Sequence, residues 1–214
     1  MATKEVPRDP QKVARIMQAA CHAFATHGYA GTKTETIAAA AQVSKGLLFH
    51  YYGSKQQLYL ATVQQAMQTI MTTVNPQFET PQDLVTLVVQ GTRYKTEFGR
   101  THPDEMSVMI AAYGEISKLP ASLQAQLNAT YASAMAVSRK LISDVIDQMP
   151  LRPELDREQI IGLIMGVYNQ IFAEFQAHMR QHPDIKTMDD AQWIVERAKV
   201  YMGILENGFV IPKD

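Results

Sequence analysis

Cysteine is almost absent from these 214 residues: Cys21 stands alone. No disulfide can form within the chain, and the usage fits a reducing cytoplasm better than a secreted scaffold. Long apolar runs are missing as well. No uncharged stretch approaches the roughly 18 residues that a membrane span requires, and the opening MATKEVPRDP is polar, without the apolar centre of a signal peptide. A cytoplasmic protein with no membrane partner is therefore expected. Strict alternation of apolar and polar residues is lacking, which argues against a sheet. There is no phosphate-cradling glycine loop, no nucleophile with a base and an orienting group, and no strong metal-ligand signature. Neither catalysis nor a cofactor is expected, and no metal site is assigned. Repeats and low-complexity linkers are likewise missing. With 46% hydrophobic and 19% charged residues, the chain has the composition of a globular protein large enough to bury its own core.

An excess of one charge is also lacking in the total, which is −1, but the charges are segregated. Residues 1–60 carry seven Lys and Arg (4, 8, 12, 15, 33, 45 and 55) against three acids (5, 9 and 35), a balance of +4. The rest carries 13 against 18, or −5. A basic head on an acidic body suits a protein whose head alone approaches a polyphosphate.

Helical periodicity fills the chain. Val13, Ile16, Met17, Ala20, Cys21 and Phe24 recur at steps of three and four, and His27-Gly28 supplies a stop for this first helix. Cys21 lies on that apolar stripe and is expected to be a small core residue. Thr32-Lys33-Thr34-Glu35 reads as a capping box that opens a short helix to about residue 41. Ser44 can cap a third helix to about residue 52, and Gly53-Ser54 ends it and starts the next. Longer helices are expected at 54–73, 81–100, 103–117, 120–149, 156–181 and 188–208. Pro76, Pro81, Pro103, Pro120, Pro150, Pro153 and Pro183 punctuate them.

The segment from Thr34 to Lys55 carries the chemistry. A short helix, a tight turn and a second short helix let the second project into a major groove while the first braces it across the backbone. Ala38 and Ala41 allow the close crossing. Ile37, Val43 and Leu48, with Phe49 or Tyr52, fill the wedge. Ser44, Lys45 and the bare backbone of Gly46 then sit on the first turn of the reading helix, where N–H groups point at phosphates or base edges. Lys45 is the expected reader of a guanine edge.

The run IAAAAQVSKGLLFHYYGSKQQL, with AFATHGYAGT before it, resembles the TetR family of transcriptional regulators over about residues 10–60. The resemblance implies that Thr34, Tyr51 and Lys55 hold phosphates, while Ser44, Lys45, Gly46, Leu47 and His50 face the groove; Lys33 is an added cation. Three positions depart from the family pattern. Gln42 stands where glycine is usual, placing a side chain at a turn position that calls for positive φ. Phe49 replaces a tyrosine, and Leu47 stands where a polar residue often sits, from where it can meet a thymine methyl.

In the body, Met67, Met71, Tyr94, Phe98, Met109, Tyr113, Tyr131, Met135, Met165, Tyr168 and Phe172 supply aromatic and thioether side chains of the kind that line an adaptable cavity. The same residue types also build plain cores. Glu97, Glu115, Asn169 or a tyrosine hydroxyl could fix a ligand's polar end. The helix at 156–181 is apolar on more than one face, so it needs two partners. With Gly162 and Gly166 allowing close approach, it and the last helix can form a four-helix interface with a second copy, as the family does. Glu174, His178 and His182 recur every four residues; a solvated stripe is preferred over a metal site.

The expected fold is all-α: a helix-turn-helix DNA-binding domain over 1–55 and a larger ligand-binding and dimerisation domain over 56–214. The expected function is a homodimeric repressor on a near-palindromic duplex operator, released by an apolar or amphipathic small molecule. A helical carrier or adaptor that ignores DNA is the alternative.

Overall fold

The computed structural model describes residues 8–73, 81–182 and 184–209, and every regular element among them is helical. The prolines at 76 and 183 lie outside the described residues. Helix α1 (Pro10–Gly31) starts where the Asp9 carboxylate accepts the Gln11 N–H at 2.9 Å, with Pro10 at the first position. Ile16, Met17, Ala20 and Phe24 are buried on its inner face, with Val13 and Cys21 packed at the edge. The expected stop is a break and not an end. Gly28 adopts φ 65°, and one further turn follows it.

The capping box does not form. Thr32 is buried, and its hydroxyl turns back to donate to the carbonyls of Gly28 and Ala23. Lys33 takes the cap position of α2 (Thr34–Ala40) without a side-chain bond. A hydroxyl so close to a helix end can serve the carbonyls behind it or the N–H groups ahead, and spacing alone does not say which. The turn into α3 (Lys45–Tyr52) passes through Gln42 at φ 55°, as the missing glycine suggested. Arg15 of α1 donates to the Ala41 carbonyl at 3.0 Å, placing a cation at the end of α2. Ser44 caps α3 and Ser54 caps α4 (Lys55–Thr72), each accepting an N–H three residues on.

The remaining helices are α5 (Leu84–Thr101), α6 (Pro103–Glu115) with a 3-10 turn at Ile116–Lys118, α7 (Ala121–Ile146), α8 (Arg157–Gln181) and α9 (Gln192–Phe209). One core runs from Ile16, Phe24, Ile37 and Leu48 through Leu58, Tyr59 and Val63 of α4 into Val108, Ile110 and Ala112 of α6. The head is therefore welded to the body through α1, α4 and α6. Each fully buried Leu or Ile here is worth about 1.5–3 kcal/mol. A second cluster joins Leu84 of α5 with Val145, Ile146, Ile161, Ile164 and Met202 at the far end.

Candidate nucleic-acid interface

Helix α3 presents its first turn outward. Ser44 Oγ accepts the Leu47 N–H at 3.1 Å, and Lys45, Gly46 and His50 are exposed while Leu47 is half-buried. A Cβ on Gly46 would meet nothing closer than Ser44 Oγ at 3.8 Å. No described neighbour demands glycine there. Lys45 Nζ lies 2.5 Å from Glu35 Oε1, and that hydrogen bond holds the Glu35 carboxyl down to about 2. Lys33 is exposed at the start of α2.

The three residues assigned to phosphates sit deeper. Tyr51 is 3% exposed, and its hydroxyl oxygen accepts the Asp9 N–H at 3.0 Å. Thr34 is buried, and its hydroxyl donates to Glu35 Oε2 at 3.3 Å. Lys55 stands over the Tyr29 ring at 4.7 Å and reaches the Ala30 carbonyl at 3.4 Å; desolvation lowers its pKa. In the free chain Tyr51 ties α3 to the start of α1 and Lys55 ties α4 to its end, while the Thr34 bond stays within α2. Motif reasoning missed Arg8, whose guanidinium donates to the Tyr51 carbonyl and lies 5.5 Å from the Tyr52 ring centre. Its place one residue before the Asp9 cap was the available signal. Glu35 was missed as well, having been assigned to the cap.

Behind this face, Glu115 joins head to body. It accepts the Tyr29 N–H at 3.1 Å and the Tyr59 hydroxyl at 2.5 Å. A Cβ on Gly28 would lie 3.0 Å from its Oε2, so the left-handed glycine both makes the break and clears the carboxylate's path. Glu115 is thus committed to the joint and does not stand ready for a ligand. At the other end of α6 from the joint, an open cleft of about 310 Å³ runs between α1, α4 and the start of α6, past Met17, Gln18, Cys21 and Gln65. Burial, with Glu105 and Asp104 nearby, pushes the Cys21 thiol up to about 12, which fits a packing residue. None of the eleven pocket residues lines this cleft.

Those eleven divide. Tyr113, Tyr131 and Phe172 meet, with Tyr113 edge-on to Phe172 at 5.0 Å and 4.8 Å from Tyr131. The Tyr131 hydroxyl is buried with no hydrogen-bond partner among the described residues. Met67, Phe98 and Met109 are core residues, Phe98 stacking on His102 at 4.5 Å, and the Tyr94 hydroxyl donates to the Ile70 carbonyl. Met165 and Tyr168 pack on the second cluster, Met135 is half-buried, and Met71 is 43% exposed. The histidine stripe holds no metal cluster among the described residues. Glu174 pairs with Arg197 at 2.6 Å, and His178 stacks on His182. Along α8 and α9, Leu163, Val200 and Ile204 are 56%, 58% and 65% exposed, and a Cβ on Gly162 or Gly166 would meet nothing within 4 Å. No described helix is long and apolar enough to cross a membrane.

A three-helix unit that shows the first turn of its third helix to solvent, seated on a larger helical body, defines a helix-turn-helix protein. Residues 16–62 match the family model described as bacterial regulatory proteins, tetR family. An HTH-type transcriptional repressor of Streptomyces coelicolor is 43% identical over 61 residues, covering 28% of this chain and 32% of that protein. The HTH-type transcriptional repressor AcnR of Corynebacterium jeikeium is 35% identical over 57 residues, covering 27% and 30%. The matches thus span about a third of the length of these curated relatives. Solved structures extend the likeness of fold to the body. A transcriptional regulator from Rhodococcus sp. RHA1 superposes with TM-score 0.63 at 16% identity, over 93% of this chain and 98% of that one. The fatty acid degradation regulator FadR of Bacillus halodurans does so with TM-score 0.60 at 15%, over 87% and 97%. The helix-turn-helix head of this chain thus matches the tetR family model, and the chain as a whole shares its fold with these solved regulators.

Proposed function

We propose that this protein is a DNA-binding transcriptional repressor with residues 1–55 as its reading head and 56–214 as its sensing and dimerising body. Two copies bind a near-palindromic operator, one α3 in each of two successive major grooves, in the cytoplasm where the genome lies. The observation that carries this reading is the outward first turn of α3, with Ser44, Lys45, Gly46 and His50 all exposed on a head that matches the tetR family model. Lys33 and Lys55 flank it, and Thr34 and Tyr51 reach the backbone once the phosphate comes to them. An apolar or amphipathic effector enters the body near Tyr113, Tyr131 and Phe172, where the Tyr131 hydroxyl offers a donor unpaired among the described residues. Tyr113 precedes Glu115 by two residues on α6, so displacing it moves the carboxylate that holds Tyr29. Effector and operator then weaken each other's binding by the same factor.

The test is a titration of the protein onto duplexes selected from a randomised library, against scrambled controls at several salt concentrations. Specific, salt-weakened binding is expected, weakened about 10-fold or more by Lys45→Ala with His50→Ala, since a base contact is worth about 1–3 kcal/mol. Equal affinity for all duplexes in wild type and variant would overturn the reading.

A further inference from the structure

Between residues 10 and 60 the chain has one acid, Glu35, and helix α3 has one Lys or Arg, Lys45. The fold brings these two together at 2.5 Å, although they lie on different helices and ten residues apart. Both are exposed, with 52% of the Lys45 and 61% of the Glu35 side chain open to solvent. The pair is therefore not a means of burying charge. It lies in the face that the proposed function turns toward DNA. An exposed pair adds little to stability, so its effect is sought in what it does to a polyanion.

A bare Lys45 would be drawn to any phosphate, and each neutralised phosphate steepens the salt dependence of binding by about 0.9. Tied to Glu35, Lys45 contributes no net charge, and the carboxylate faces the same phosphates with the opposite sign. A generic duplex offers Lys45 a phosphate but gives Glu35 only repulsion. A G·C pair offers both groups a partner in the major groove, with guanine O6 and N7 accepting from Lys45 and the cytosine N4 amino group donating to Glu35. We infer that Glu35 is a specificity-determining residue, an internal counter-ion that holds Lys45 back from generic phosphate and releases it at a G·C pair. The inference rests on the DNA-binding reading and asks more of it. The second carboxylate oxygen already accepts the Thr34 hydroxyl, so the side chain is positioned before any duplex arrives.

The experiment compares wild type with Glu35→Gln on the selected operator, on the operator with its recognised G·C pair changed to A·T, and on scrambled duplex, across a salt series. Glu35→Gln should tighten binding to scrambled duplex about 5- to 10-fold and steepen its salt slope by about 1. Operator affinity should gain clearly less than that of scrambled duplex, because the lifted repulsion is offset there by the altered contact with cytosine N4, and the variant should lose most of the wild type's discrimination against the A·T substitution. Equal tightening on all three duplexes would reduce Glu35 to bulk charge and overturn the inference, as would no change on any. If the wild type binds no duplex selectively, the DNA-binding reading itself fails, and that result is visible before the variant is considered.

Discussion

Gln42 shows how a single backbone angle can be legible in sequence. The family pattern has glycine at this turn, and this chain keeps the left-handed conformation, φ 55°, with an exposed glutamine in its place. A side chain there costs about 1–2 kcal/mol, part of which is returned because glycine loosens the unfolded chain. Gln42→Gly should raise stability by about 0.5–1 kcal/mol, read as a higher urea midpoint with an unchanged slope. A lower midpoint would mean that the side chain makes a stabilising contact. Thr32 shows the opposite case. Its spacing to Glu35 fits a capping box, yet its hydroxyl serves Gly28 and Ala23, because the break in α1 exposes carbonyls that the one-dimensional pattern does not display. Tyr51 and Lys55 were legible as important positions, but the number of intramolecular bonds they already make was not, since those bonds depend on Asp9 and Tyr29 being folded beside them.

At the scale of elements, the order and limits of the helices followed from periodicity and proline punctuation, with small differences at the ends. Crossing distances were less accessible. The sequence drew attention to Gly162 and Gly166, where no described residue comes close, and gave no signal at Gly114. There α6 crosses α8 so tightly that a Cβ would lie 3.1 Å from the Met179 carbonyl oxygen, a backbone atom that cannot step aside. Gly114→Ala should therefore cost about 1–3 kcal/mol, while Gly91→Ala on α5, where a Cβ meets no described atom within 4 Å, should be neutral or gain up to about 1 kcal/mol from helix propensity. Thermal melts of the two variants separate these outcomes. Equal melts would mean that α6 and α8 slide apart freely. The pocket residues were legible as a set of types only. Long helices carry aromatic and thioether residues on several faces, and which faces converge depends on helix rotation, so Tyr113, Tyr131 and Phe172 meet while Met71 points to solvent.

For the molecule as a whole, the exposed row of Leu163, Val200 and Ile204 on α8 and α9 is the surface that a second copy would cover in the proposed homodimer. Placing lysines at Leu163 and Ile204 together should leave the helical content and the monomer fold intact, because these side chains already face solvent. It should shift the mass measured by light scattering from two chains to one. An unchanged dimer mass would place the interface elsewhere.

Gly28, Tyr29, Tyr59 and Glu115 come from three helices and nearly ninety residues of chain, yet they form one mechanical part. This governs how such proteins can be recombined. A head cut at residue 55 and grafted to a foreign body carries half of the joint, and it will sit at the wrong angle unless the new body brings a carboxylate to the end of its own sixth helix. Successful grafts should be those that keep the glycine and the carboxylate together, so the practical unit of exchange extends across the seam to residue 115.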